Sequence, residues 1–427
     1  MVFIKNSDKL ATTPQRKIVL ELVETALQSI QPEHAMEHNF VIEGETLRIE
    51  DKTFDLSSFD RTFLIGFGKG SAGIAKIIEE KLGDKLTEGH VIDTNPETFT
   101  KVHFTQGSHP LPSTLNAAFT QALLKRLATL QLTEKDLVLV VICGGGSALL
   151  VAPNKISLDQ KIEVNKALLK SGATISEMNV LRKHLSEVKG GGLAKALFPA
   201  RVASLIFSDV PGNELSVIAS GPTELDPTTI EDAKAVIEKF HLQEVVPFVH
   251  DALRETPKDE AIFKNVINII FLSNRTALTA MQKKAQELGT ESTIYSDKFE
   301  HEAKTAGQEL LSQTKEKSFL FAGGETTVHV TGNGVGGRNQ EVVLGALTSI
   351  DDKTIICSFA TDGWDNTKFA GAIGDMQTKT KAEELQLDIE NAINSNNSLD
   401  IFEKTGDGIN TGRLPSNVSD LFIVYKY

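Results

Sequence analysis

The residues of this chain best suited to chemistry gather at its glycines. Of 32 glycines, the informative ones cluster at Gly66/Gly68/Gly70/Gly73, Gly144-Gly145-Gly146, Gly190-Gly191-Gly192, Gly323-Gly324 and Gly332/Gly334/Gly336-Gly337. Lys69 stands inside the first cluster, Ser147 closes the second, and Arg338-Asn339 follows the last. Several clusters come directly after an apolar run of strand length. In open α/β sheets ligands bind there, because glycine lets backbone N–H groups approach an anion closely. The junctions at 66–73, 144–147 and 332–338 thus point to a phosphate-bearing ligand. Gly68, Gly144, Gly145, Gly146, Ser147, Gly336, Gly337 and Asn339 are the groups placed to hold it. Tight turns and helix caps are the competing use of such glycines.

The string Gly66-Phe67-Gly68-Lys69-Gly70-Ser71 nearly fits the dinucleotide fingerprint, with Ser71 in the third glycine's place and Asp93 placed to take a ribose hydroxyl. A nicotinamide-dependent dehydrogenase is the natural rival reading. Lys69 within the loop suits a phosphate-cradling role better. A true P-loop is absent, since Phe63 stands where glycine is needed ahead of Gly68-Lys69.

The segment Ile175–Ser186 reads as a helix over 176–188 that sets Asn179, Arg182 or Lys183, and Ser186 on one face. A solvated face is the plain alternative. The run Gly190-Gly191-Gly192 that follows favours a polar face turned into a cleft, with Asn179, Arg182 and Lys183 offered to an anion. Asp209, Glu325 and Asp362 sit beside further glycines and are the carboxylates available as metal ligand or base; turn and helix capping are their structural alternative. Arg338, at a glycine-to-helix junction, is placed to offset charge on a transferring phosphoryl group, an effect of roughly 10³–10⁵ in rate. His34-Ala35-Met36-Glu37-His38 matches an inverted zinc-peptidase pattern, but in a polar helix end with no protease context. Cys143, though beside Gly144, reads as a small buried hydrophobe.

The elements that must position these groups follow from patterning. Over 427 residues, strand-length apolar runs alternate with helical-period stretches, which predicts an α/β fold with a parallel sheet covered on both faces. The polar run Glu255-Thr256-Pro257-Lys258-Asp259-Glu260 is the expected boundary between a larger domain over 1–255 and a smaller one over 256–427. The Asn-rich stretch Asn391–Ser398 is expected as a surface loop. The formal charge of −13 disfavours nucleic acid and anionic membranes as partners. Two cysteines exclude a disulfide framework, and no leader or membrane span is evident, so a soluble cytoplasmic protein is expected.

The strings GFGKGSAG at 66–73, GSHPLPS at 107–113, CGGGSALL at 143–150 and SGATISEMNVLRKHLSEVKGGGLA at 171–194 together resemble the class II glycerate kinases. So do SDVPGN at 208–213, IASGPT at 218–223, GGETTV at 323–328, GNGVGGRNQE at 332–341, TDGWDN at 361–366 and NVSDL at 417–421. These are glycerate 2-kinases with a MOFRL C-terminal region, here about 318–427. The resemblance implies a Rossmann-like parallel-sheet N-terminal domain, a smaller α/β C-terminal domain and an active site in the cleft; because the candidate donors come from both halves of the chain, closure is expected to assemble that site and exclude water. It also implies ATP-dependent phosphorylation of D-glycerate to 2-phosphoglycerate with Mg²⁺ or another divalent cation. Lys69 and Arg338 take the catalytic places by the same resemblance; the sequence itself leaves a homodimer open. The runs Trp364–Lys368 and Thr411–Ser416 depart from the family pattern, which keeps a related short hydroxy acid open as substrate. An NAD(P)H-dependent hydroxypyruvate reductase is the alternative activity.

Overall fold

The computed structural model describes residues 2–427. The chain divides into two compact units, one of residues 36–208 and 213–271, the other of residues up to 35, 209–212 and 272–427. Among the described residues no helix is long and apolar enough to cross a membrane.

The first unit is built on a six-stranded sheet in the order Val102–Gln106, Leu86–Asp93, Arg61–Phe67, Asp136–Ile142, Arg201–Phe207, Val266–Leu272. The first five run parallel to their neighbours. Asp136–Ile142 reads Asp-Leu-Val-Leu-Val-Val-Ile and is buried throughout, as a central strand covered on both faces must be. The helices Leu158–Ser171, Ile175–His184 and Ile230–Lys239 share a separate apolar core around Leu168, Leu181 and Ile237. A three-stranded antiparallel meander over residues 40–55 completes the unit.

The second unit holds a six-stranded sheet in the order Glu291–Phe299, Ser318–Gly324, Asp420–Lys426, Thr354–Ala360, Gly371–Gly374, Gly408–Ile409. Only Glu291–Phe299 and Ser318–Gly324 pair in parallel. Asp420–Lys426 lies between two strands and runs antiparallel to both. This sheet is mixed rather than parallel: Gly371–Gly374 turns back antiparallel on Thr354–Ala360 after a short loop, and Asp420–Lys426 enters antiparallel between Ser318–Gly324 and Thr354–Ala360. The helix Arg338–Leu347 is buried along nearly its whole length against this sheet and the helix Ala303–Gln313. Helix Pro14–Ser29, capped by Thr13, packs on Asn274–Glu287, and its buried Arg16 pairs with Asp375 and Asp407.

These units do not follow the expected division at 255/256. Val266–Leu272 joins the first sheet, and the opening helix belongs with the second unit. The proline-bearing run 255–260 is a loop ahead of an edge strand; a turn signal says where a strand starts, not which sheet it joins. The Asn-rich stretch is likewise no simple surface loop: it joins the helices Ile389–Asn394 and Ser398–Thr405. Its Asn396 Oδ1 accepts the N–H groups of Thr331 and Gly332 at 2.8 and 3.0 Å, and its Asn397 Oδ1 that of Val335 at 3.2 Å. Those asparagines hold the glycine loop 332–337.

Candidate active site

Lys69 is presented where two loops meet. From Arg61–Phe67 the chain works outward to one edge of the first sheet, and from Asp136–Ile142 to the other. Such a switch point opens a crevice at the carboxyl ends of the two strands. Cys143 N–H donates to the Phe67 carbonyl at 3.0 Å and Lys69 N–H to the Gly144 carbonyl at 2.8 Å. Gly68 has φ +112°, and a Cβ there would lie 2.4 Å from the Cys143 carbonyl oxygen, so only glycine fits. The Lys69 side chain is exposed and its Cε passes beside Gly145.

The same geometry removes the support for a dinucleotide site. Asp93 is fully buried, and its Oδ2 accepts the Ala72 N–H at 2.9 Å in the first turn of helix Ser71–Leu82. Its Oδ1 accepts the N–H groups of Thr94 and Asn95. The carboxylate read as a ribose acceptor is a helix cap, seated where a pyrophosphate would need those donors. His184, a histidine that a reductase could have used, is buried, bonded to the Val180 carbonyl and near Glu255.

Next to Gly145 and Ser147 opens a cavity of about 370 Å³. Lys161, Lys166, Arg182 and Lys189 line it, with His109 and no acidic side chain. Burial, then repulsion from Arg182, brings Lys161 down to about 8. Burial and the Lys161 and Arg182 charges hold Lys189 well below the ordinary lysine range. Burial lowers Arg182, and burial with the Lys69 charge lowers His109.

Of the residues expected on one helical face, the structure turns only Arg182 into this cavity. The helix stops at His184, so Ser186 lies beyond it; its Oγ accepts the N–H groups of Val188 and Lys189 and shapes the turn that aims Lys189. Lys183 is buried and paired with Asp226 at 3.2 Å, which Thr228 and Thr256 also contact. It is a packing element, not a cavity group. Asn179 Oδ1 accepts from Ser220, whose Oγ lies 3.1 Å from Ser147 Oγ; the buried Asn179 Nδ2 has no partner.

In the second unit, Gly334, Gly336, Gly337 and Arg338 border a cavity of about 680 Å³, with Glu300, Glu325 and Glu341. Arg338 opens the helix Arg338–Leu347. Its guanidinium pairs with Asp420, Nε to Oδ2 at 2.5 Å and Nη2 to Oδ1 at 3.1 Å, and Nη1 pairs with Glu325. Burial works against the cation, but the two carboxylates outweigh it and hold Arg338 above its ordinary range. Asp420 is itself pushed up to about 7 by burial, against the pull of the guanidinium. Burial also raises Glu341, whose Oε1 is unpartnered.

Gly337 is required by close approach: a Cβ there would lie 2.0 Å from the Asp365 carbonyl oxygen. Asn339, read as a ligand group, is fully buried, its Oδ1 accepting from Ser358 at 2.6 Å and its Nδ2 donating to Asp365. It fastens the helix to the sheet. Glu325 is taken by Arg338. Asp362 accepts the Trp364 N–H at 2.9 Å, and the half-buried Asp209 follows strand Arg201–Phe207. The two departures from the family pattern come together: the Arg413 guanidinium lies 3.8 Å from the Trp364 ring centroid, and Leu414 N–H donates to the Asp362 carbonyl.

Lys161, Lys189, Asp420, Asp365 and Glu341 carried no functional reading in the sequence. Lys189 was legible, since it abuts Gly190-Gly191-Gly192 as Lys69 sits among its own glycines. Lys161 is one of several lysines on an amphipathic helix, and nothing in the pattern marks it.

Fold and loops define the class: an α/β protein of two units whose glycine loops present cations. The chain matches a domain of unknown function, DUF4147, over residues 18–254 and the MOFRL family over 318–420. It is 34% identical to a D-glycerate 2-kinase of Thermotoga maritima, over 96% of this chain and 97% of that one. It is 35% identical to a glycerate 2-kinase of Pyrococcus horikoshii, over 96% of each. A crystal structure of glycerate kinase from Thermotoga maritima superimposes with a TM-score of 0.85, covering 96% of this chain and 99% of that one at 34% identity. The chain belongs to the glycerate 2-kinase family.

Proposed function

We propose that this chain transfers the terminal phosphoryl group of ATP to the 2-hydroxyl of D-glycerate in the cytoplasm. The observation that carries this reading is the likeness to glycerate 2-kinases over 96% of the chain, both units and both cation-bearing loops included. Asp93, spent as a helix cap, counts against the reductase.

In the reaction the substrate hydroxyl oxygen attacks the γ-phosphorus, the bond to the β,γ-bridging oxygen breaks, and the hydroxyl proton passes to a carboxylate. Such transfers need positioning and charge stabilisation more than covalent help. We assign the Lys69 ammonium and the Arg338 guanidinium to the transferring group. The loop amides at 144–147 and 334–337 are assigned to phosphate or carboxylate oxygens. Asp420 and Glu325 fix the plane of the guanidinium, leaving Asp209 and Asp362 as the strand-exit carboxylates for hydroxyl and metal. Mg²⁺ takes one or two carboxylates beside nucleotide phosphates, a donor set that Asp209 and Asp362 fit; it would neutralise phosphate charge there. Among the described residues no three His, Cys, Asp or Glu side chains cluster as an all-protein metal site.

The test is incubation with ATP and D-glycerate, with the product identified by phosphorus and proton NMR. 2-Phosphoglycerate is expected. The 3-phosphate, or turnover that needs nicotinamide and no ATP, overturns the reading.

A further inference from the structure

We propose that Lys161, Arg182 and Lys189 form the subsite that recognises the carboxylate of the acceptor acid, with Lys161 and Lys189 as specificity-determining residues. The proposal rests on the kinase reading above, which leaves open what selects an acid over other alcohols.

Lys161 and Lys189 are 8% and 3% exposed. A buried lysine ordinarily keeps its charge by pairing with a carboxylate, as Lys183 does with Asp226 in the same unit. These two have no such partner. Lys189 Nζ donates only to the carbonyls of Ser147 at 3.0 Å and Ala219 at 3.5 Å. Arg182 Nε donates to Asn165 Oδ1 at 3.2 Å, and Nη2 lies 3.9 Å from the Met178 sulfur. Lys161 Nζ has no hydrogen-bond partner among the described residues. Neutral acceptors orient these cations without offsetting them. A chain with 57 acidic residues and a net charge of −13 has packed four basic groups around one cavity and kept every carboxylate off its wall. That arrangement is costly when empty and is relieved by an anion, the signature of a site kept for binding at the expense of stability.

The cavity's size and position choose the anion. It is the smaller of the two cavities described, with Leu111, Ile162 and Leu169 on its wall, suited to a compact acid rather than a nucleoside. It touches Gly145 and Ser147, the loop that Lys69 N–H joins through Gly144. A carboxylate held here leaves the hydroxyl of a short 2-hydroxy acid near the lysine assigned to phosphoryl transfer.

The experiment compares D-glycerate with its neutral amide, glyceramide, by titration calorimetry without nucleotide. It is run on the wild type, Lys161→Met and Lys189→Met, with ATP binding measured in parallel. The wild type is expected to prefer the acid by about 100-fold or more, and each variant to lose at least about tenfold of that preference. ATP affinity should stay within about twofold. Lys161→Met is the cleaner variant, because its ammonium holds no protein atom; its unliganded melting temperature should equal or exceed that of the wild type. An unchanged acid preference in both variants, or loss of ATP binding in place of glycerate binding, overturns the proposal. The kinase reading fails separately: a wild type that makes no phosphoglycerate yet selects the acid through Lys161 refutes that reading and leaves the carboxylate subsite standing.

Discussion

Arg338 and Asp420 meet edge to edge, two nitrogens on two oxygens, with the guanidinium at the start of a helix and the carboxylate at the start of a central strand. The pair fixes where the cation points, and it also makes each residue dangerous to remove alone. Arg338→Ala is expected to lower kcat by about 10³–10⁵ if it stabilises the transferring group. It also strands a buried carboxylate. The variant's melting temperature should fall further behind the wild type at pH 8 than at pH 6: with Arg338 in place Asp420 ionises at about 7, and without that pull it is raised further, so the penalty of burying it keeps growing above 7 in the variant alone. The double variant Arg338→Met, Asp420→Asn should recover most of that stability and none of the activity; thermal melts and steady-state rates decide both.

Asp420→Asn keeps the shape and removes the charge that orients Arg338. We expect kcat to fall by about 10–100-fold with KM for ATP little changed, the pattern of a lost positioning group. An unchanged kcat would mean that Glu325 alone holds the guanidinium.

Lys69 sits in a loop so tight that Gly68 cannot carry a Cβ. Lys69→Arg should therefore cost nearly as much activity as Lys69→Met, about 100-fold or more, since a planar fork does not replace a compact ammonium. Circular dichroism should show both variants folded, because the Lys69 side chain is exposed.

The cation-lined cavity predicts a pH dependence. With Lys161 brought down to about 8, KM for D-glycerate should rise as pH climbs through that value, and the inflection should vanish in Lys161→Met. Around it, Lys189 is also held below its ordinary range, His109 is held below its ordinary value, and Lys166 and Arg182 complete the wall. Stability runs the other way. Unfolded Lys161 keeps its proton to about 10.5, so across pH 8–10.5 the unfolded chain binds more protons and the unliganded protein gains stability as pH rises.

Asp365 accepts the N–H groups of Asn339 and Gln340 at 3.0 and 2.9 Å. Asp365→Ala should cost about 0.5–2 kcal/mol as a lost cap, read by denaturant unfolding. Activity should fall as well, since this cap sets the first turn that carries Arg338.

What could be read in advance was what one stretch of chain determines by itself. The apolar run 137–143 and the helical period over 158–171 predict elements within a residue of the observed Asp136–Ile142 and Leu158–Ser171, and Lys69 and Arg338 stand out by lying among glycines. Pairing across distance was hidden. Lys183 and Lys189 are both lysines near one glycine turn, yet only the position of Asp226 sends the first into an ion pair and leaves the second in the cavity. Asn339 looked like a ligand group because nothing local shows that Ser358 and Asp365 claim it. The asparagines of 391–398 forecast a loop, and the polar contacts that make it a brace for residues 331–335 come from 62–65 residues away.

Strand Asp420–Lys426 enters between two strands synthesised long before it, and Arg16 waits 359 residues for Asp375. On the ribosome the opening helix thus stays with its charge unanswered and its sheet unfinished until after the parallel-sheet unit has all six of its strands. The order of translation makes the first residues among the last to settle. A shortened chain ending before Asp420 would lose the middle of a sheet and the counter-charge of Arg338 in one cut.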